Sequence, residues 1–155
     1  MSNYFTWPLR FRSVNYPQRF IRHQNFLAFL GEDLAGTAAA RDGIFWLVPG
    51  LADERFYSIQ ATGSLPGKFY LRHHEFRLKL QEFHPGDTQF AKDATFELTP
   101  PLAIDDIENN GISLRSYNFP DRYLRHSNFE IWLHPTEDSD TFRKDSSFRF
   151  SDTRN

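Results

Sequence analysis

The sequence predicts an all-β protein, and three observations carry that prediction. Aromatic side chains are abundant, with 17 Phe, 6 Tyr and 3 Trp among 155 residues, a bias toward half-buried pleated strands over long helices. Apolar residues alternate along the chain: Phe76, Leu78 and Leu80 are separated by Arg77 and Lys79, and Phe129, Ile131 and Leu133 by Glu130 and Trp132. A period of two marks a strand with one buried face. Turn-forming residues recur between such runs, at Asn15 to Gln18, Leu65-Pro66-Gly67, His84 to Asp87, Asn109 to Gly111 and Asn118 to Asp121, as short strands joined by tight connections require. No apolar stripe at helical spacing persists for a dozen residues. The nearest approach, Glu32 to Arg41, is rich in Ala and Gly and reads as a loop or at most one turn.

Self-similarity organises the elements. Ser13-Val-Asn-Tyr-Pro-Gln-Arg-Phe-Ile-Arg-His-Gln-Asn-Phe26 and Ser116-Tyr-Asn-Phe-Pro-Asp-Arg-Tyr-Leu-Arg-His-Ser-Asn-Phe129 agree at eight of fourteen positions, and three others exchange like for like. A weaker copy, Leu65-Pro-Gly-Lys-Phe-Tyr-Leu-Arg-His-His-Glu-Phe76, carries one extra residue between its Pro and its Arg-His pair. The anchoring His23, His73 and His126 are 50 and 53 residues apart. Each is followed 19 or 20 residues later by a basic-Asp turn: Arg41-Asp42-Gly-Ile-Phe45, Lys92-Asp93-Ala-Thr-Phe96 and Lys144-Asp145-Ser-Ser-Phe148. A unit of about fifty residues has room for roughly four strands of ordinary length. Three units at about 8–50, 55–103 and 111–152 predict a β-trefoil of three internal repeats, since a propeller needs about four or more blades to close. They fill residues 1–155 as one domain and leave no length for a catalytic domain. Asp105 to Asn110 is the linker-like patch between units two and three.

Charge and composition narrow the function. With 18 Lys and Arg against 20 Asp and Glu, the chain has no basic field for collecting phosphates, which argues against nucleic acid or an anionic membrane as partner. It has no cysteine, hence no disulfide framework and no thiolate chemistry. The apolar runs are too short for a membrane span, and Met1 to Phe11 lacks the pattern of a signal peptide. That permits a cytoplasmic protein. One recurrent Asp per unit, each beside Lys or Arg, makes a poor general acid for glycoside hydrolysis. The six His show no metalloprotease spacing, and neither a nucleophile elbow nor a phosphate loop occurs. Glu137, Asp138 and Asp140 lack a calcium-loop pattern and read as a solvated turn. No enzyme activity, metal or cofactor is called for.

The repeated side chains are the candidates for chemistry. Phe26, Phe76 and Phe129, with Phe45, Phe96 and Phe148, read as a shared core. Arg22, Arg72 and Arg125 read as structural, bonding loop carbonyls or pairing with the Asp of the following turn. For the pairs His23 and Asp42, His73 and Asp93, His126 and Asp145, two roles fit. A neutral imidazole beside a carboxylate offers the donor and acceptors that vicinal sugar hydroxyls need; the same pair can simply tie two turns together.

Tyr123-Leu-Arg-His-Ser-Asn-Phe129, preceded by Leu114 to Pro120 and followed by Phe142-Arg-Lys-Asp-Ser-Ser-Phe148, resembles the repeat of the arabinofuranosidase B-type carbohydrate-binding domain, carbohydrate-binding module family 42. The resemblance covers essentially the whole chain and is strongest in unit three. It implies a β-trefoil that binds arabinofuranose side chains of arabinoxylan and arabinan, with carbohydrate-binding residues at His126 and Asp145, His73 and Asp93, and His23 and Asp42. It also implies an accessory, non-catalytic, monomeric module, commonly fused to a glycoside hydrolase such as an α-L-arabinofuranosidase and then extracellular. Unit two departs from the pattern at His74 and Glu75, and unit one at Ala39, which makes pocket three the clearest of the three. A lectin-like or protein-interaction module with another ligand is the alternative, and a small glycoside hydrolase a third.

Overall fold

The computed structural model of the protein describes residues 5–32, 41–63 and 67–152. Residues 33–40 of the expected Glu32 to Arg41 loop, Ala39 among them, and most of the Leu65-Pro66-Gly67 turn lie outside the described residues. Among the described residues are twelve strands: β1 (Leu9–Ser13), β2 (Arg19–Gln24), β3 (Leu27–Glu32), β4 (Phe45–Pro49), β5 (Tyr57–Ala61), β6 (Phe69–His74), β7 (Arg77–Glu82), β8 (Phe96–Thr99), β9 (Gly111–Ser116), β10 (Arg122–Ser127), β11 (Glu130–Pro135) and β12 (Phe148–Asp152). Two six-residue helices, α1 (Thr88–Asp93) and α2 (Asp140–Asp145), and a 3-10 turn (Ile104–Asn109) interrupt them.

The all-β class holds, but the β-trefoil of three internal repeats is corrected. Ten strands hydrogen-bond in a closed ring, β11-β3-β2-β1-β12-β9-β8-β5-β6-β7 and back to β11, with β4 and β10 attached to it as two further strands. The repeats do not each close a four-stranded unit because ladders run across their boundaries. β1 pairs with β12 from Leu9↔Asp152 to Ser13↔Phe148, and β8 pairs with β9 over four residues. A closed sheet leaves fewer unpaired edges than separate sheets would.

One core fills the barrel. Phe11, Phe45, Phe96 and Phe148 are fully buried with Leu71, Leu78, Leu80, Leu114, Leu124, Ile131 and Leu133. Removing each from water contributes roughly 1.5–3 kcal/mol. The other three repeated phenylalanines are corrected: Phe26 and Phe129 are exposed, and Phe76 only half-buried against the core. They are not strand residues. Each is the second residue of a two-residue turn joining β2–β3, β6–β7 and β10–β11, where Asn25, Glu75 and Asn128 have φ of 52° and the phenylalanines 62°, 64° and 59°. Left-handed backbone at both positions matches the twist of a tight hairpin, although it is unfavourable for a bulky residue. The compensation is visible in the next hairpin. The Phe129 carbonyl accepts from Leu30 N–H at 2.7 Å, that of Phe26 from Leu80 N–H at 2.9 Å, and that of Phe76 from Leu133 N–H at 2.8 Å. Each turn thus latches onto a neighbouring hairpin.

Candidate functional site

The short helices carry the carboxylates. Asp87 caps α1 by accepting Phe90 N–H at 3.0 Å, and Ser139 caps α2 by accepting Phe142 N–H at 3.1 Å; satisfying these first-turn donors lets one helical turn form in so short a segment. Phe90 and Phe142 are buried, and Asp93 and Asp145, three residues on, are carried inward on the same face. Asp93 and Asp145 therefore end helices, whereas the sequence suggested turns. His73 and His126 lie within β6 and β10, close to the hairpin tips, and are also buried.

In unit three, a third residue from a distant part of the chain joins the pair. His126 Nε2 donates to Asn15 Oδ1 at 2.8 Å, and Asn15 Nδ2 donates to Asp145 Oδ1 at 2.9 Å. The carboxylate can only accept, so the Asn15 amide must present its nitrogen to Asp145 and its oxygen to the ring, which fixes a proton on His126 Nε2. Ser13 Oγ donates to the same Asn15 oxygen at 3.0 Å. Arg125 donates through Nη2 to Asp145 Oδ2 and through Nε to the His126 carbonyl at 3.1 Å, and its guanidinium lies over the Phe142 ring at 5.2 Å. Above the polar floor, the half-exposed Tyr16 meets His126 and Phe129 edge-on, with ring centres 5.3 Å apart in both cases. The resulting cleft, of about 480 Å³, is lined by these groups with Asn128 and Lys144.

Unit two repeats the construction. His73 Nε2 donates to Asn118 Oδ1 at 2.9 Å and Asn118 Nδ2 to Asp93 Oδ1 at 2.8 Å, while Arg72 Nη2 donates to Asp93 Oδ2. Phe119 takes the place of Tyr16, with its ring 5.4 Å from His73 and 5.2 Å from Phe76. Gln89 adds a donor to Asp93 Oδ1 at 3.0 Å. The cleft measures about 430 Å³. Despite the departures at His74 and Glu75, site two matches site three in its floor.

Unit one is looser. His23 Nε2 stands 3.9 Å from Asp42 Oδ1, and Arg22 Nη2 donates to Asp42 Oδ2 at 3.4 Å. The Asp42 side chain is 31% exposed, against 6% for Asp93 and 9% for Asp145. By sequence Ser64 and Leu65 occupy the places of the asparagine and the aromatic residue, and both lie outside the described residues.

The structure thus brings together each expected His/Asp pair, and each recurrent Arg reaches its Asp. Sequence reasoning missed Asn15 and Tyr16, Asn118 and Phe119. Their signal was present: Ser13-Val-Asn15-Tyr-Pro17 recurs as Ser116-Tyr-Asn118-Phe-Pro120, yet it was read as turn punctuation. Sites two and three are each built across a repeat boundary, which the repeat alignment alone does not reveal.

Burial, above all, lowers the pKa of His73 and His126; the nearby Asp raises each and the nearby Arg lowers it. The rings are therefore neutral at pH 7. In the unfolded chain these rings protonate near 6.5, so between that value and their lowered folded values the unfolded state binds more protons. Stability contributed by the neutral rings is fully present above pH 6.5 and lost as pH falls through the folded values. Urea denaturation between pH 8 and pH 4 is expected to show a plateau above pH 6.5 and a decline below it. A stability that rose on acidification through this range would refute the assignment.

A closed all-β barrel carrying shallow clefts of paired hydrogen-bonding side chains and aromatic edges defines a binding module for polar ligands. The chain belongs to the family of the alpha-L-arabinofuranosidase B (ABFB) domain, whose model matches residues 9–150. Membership supports carbohydrate binding at the level of the family. The chain is 35% identical over 115 residues to a probable alpha-L-arabinofuranosidase B of Aspergillus clavatus and 29% identical over 120 residues to an alpha-L-arabinofuranosidase of Hypocrea jecorina, covering 74% of this chain in both cases. It spans only 21% and 22% of those relatives. Among solved structures, an arabinofuranosidase complexed with arabinofuranosyl-alpha-1,2-xylobiose matches with a TM-score of 0.80 and 27% identity over 98% of this chain and 32% of the other.

Proposed function

We propose that the protein binds arabinofuranosyl side chains of arabinoxylan or arabinan, and that the His/Asp clefts of units two and three are its working sites. The observation that supports this most is the twofold recurrence of one His-Asn-Asp-Arg floor beneath an aromatic edge. The internal bonds use the Nε2–H proton and both Asn groups, and Asn118 with Gln89 fills Asp93 Oδ1, but Asp93 Oδ2 and both Asp145 oxygens retain acceptor capacity for a sugar hydroxyl. Tyr16 and Phe129, or Phe119 and Phe76, offer apolar surface to the ring carbons. Similarity to arabinofuranosidases, one of them complexed with arabinofuranosyl-alpha-1,2-xylobiose, favours an arabinofuranosyl ligand, and a fused catalytic domain in a longer parent protein is part of the same proposal.

Hydrogen bonds exchanged with water gain only about 0.5–1.5 kcal/mol each, so each site is weak and a branched polymer gains by engaging two. Titration calorimetry is expected to give heat with arabinoxylan and arabinan and none with unsubstituted xylan. Tyr16→Ala should weaken site three several-fold with little change in thermal stability, because Tyr16 is half-exposed and lies outside the buried core. Equal binding of unsubstituted xylan, or silence with both arabinose-bearing polymers from a folded protein, would overturn the proposal.

A further inference from the structure

Sites two and three have matching floors but opposite rims. At site two the hairpin turn carries Glu75 where site three has Asn128, and α1 is capped by Asp87 where α2 is capped by Ser139. Glu75 is exposed and makes no ion pair among the described residues. Asp87 accepts the Phe90 N–H and has no cationic partner among them either. The acid at the rim of site three, Asp140, is instead paired with Arg143 Nη2 at 3.0 Å, a guanidinium that also holds Asp138 through Nη1 at 3.0 Å. Lys144 at that rim has its counterpart at the same helical position in Lys92, so the ammonium is common to both helices. What differs is two uncompensated carboxylates at the mouth of site two.

Resting on the arabinofuranosyl reading above, we propose that Glu75 and Asp87 make site two select neutral branches and reject segments carrying a uronic acid, while site three accepts both. The discrimination is repulsive: a ligand carboxylate held near the rim meets two carboxylates without an ion pair at site two, and at site three an Asp140 already held by Arg143. At about 7 Å in water each such pair weakens binding about two- to three-fold, and salt screens it over about 10 Å at 0.1 M. Two co-existing sites would then divide a heterogeneous polysaccharide between them by charge.

The side-chain amides of Asn15 and Asn118 report on the two sites separately, so nitrogen–proton NMR titration of the intact chain tests the proposal without disabling either floor. The ligands are a neutral arabinosyl xylo-oligosaccharide and the same oligosaccharide with a glucuronic acid on the adjoining xylose, at pH 7.5 and low salt. The neutral ligand is expected to shift both amides. The acidic one should bind at Asn15 with comparable affinity and at Asn118 about three- to six-fold more weakly. Glu75→Asn, which installs the residue already found at the other two turns, should close about half of that gap, as should 0.5 M salt in the unaltered protein. Equal affinity of the acidic ligand at both amides, or a gap that Glu75→Asn leaves unchanged, would overturn the proposal and leave arabinofuranosyl binding standing. Failure of the neutral ligand to shift either amide would overturn both.

Discussion

The double substitution Asp93→Ala and Asp145→Ala is expected to abolish measurable binding to arabinoxylan, and each single substitution to weaken it by ten-fold or more. The size follows from what the carboxylate does. Asp145 takes the Arg125 guanidinium on one oxygen and the Asn15 amide on the other, and it presents the remaining lone pairs to the cleft. Losing a hydrogen bond to a charged group costs about 1.5–3 kcal/mol, which is about ten- to a hundred-fold in affinity at that site. With two sites on one polymer, the single substitutions also forfeit the gain from simultaneous engagement. Alanine leaves Arg125 with Glu137, 3.3 Å from Nη1, so some stability is lost as well. Asp145→Asn separates the two effects. Its amide nitrogen would face Asn15 Nδ2, donor against donor, until Asn15 flips and the His126 proton moves to Nδ1. Such a protein should fold nearly as well as the original and still bind weakly. Calorimetry with arabinoxylan, beside thermal melts of the same samples, checks both halves. Full affinity in Asp145→Asn would show that the carboxylate is framework alone.

Much of this construction was legible in the residues, and the illegible part has physical causes. Repetition exposed His126 with Asp145 and His73 with Asp93, because equivalent positions keep equivalent side chains. It could not show that Asn15, 111 positions from His126, completes the site, since periodicity names equivalents and not neighbours. The strand pairing failed in the same way: a period of two marks a buried face, but the β1–β12 ladder joins the ends of the chain. Phe129 was misplaced because alternation continues smoothly from Ile131 and Leu133 into the turn, where a left-handed backbone turns the ring outward. The helices escaped notice because six residues hold less than two turns and cannot display a period. In unit two, Glu75 alters the rim and leaves the floor intact, a distinction that alignment of the repeats cannot draw.

Arg77 is the residue that alternation misread most completely, and its replacement by methionine should destabilise the protein by about 3 kcal/mol. Alternation with Leu78 and Leu80 assigns it to the opposite, solvent-facing side of the strand, yet it is buried. Its Nη1 donates to the Ala28 carbonyl at 2.6 Å, the Leu78 carbonyl at 3.0 Å and the Ile131 carbonyl at 3.2 Å. These belong to β3, β7 and β11 at equivalent places in the three hairpins, so one nitrogen gathers three ring strands. Phe29 and Trp132 flank the guanidinium at 4.9 and 5.6 Å, and Glu130 Oε2 approaches Nη2 to 4.0 Å. Burial lowers the Arg77 pKa from its ordinary value, evidence that charge is held there at a cost. A buried cation is often replaceable by an apolar residue of like size, but here the methionine would abandon three converging acceptors. A loss of this size corresponds to a fall in Tm of roughly 10 °C for a chain of this length. Lysine should recover more than half of the loss, because an ammonium has three N–H groups for three carbonyls. Urea unfolding of Arg77→Met and Arg77→Lys against the unaltered protein checks the order. Arg77→Met as stable as the original would mean that the hairpins are held by their turn latches and apolar packing without the guanidinium.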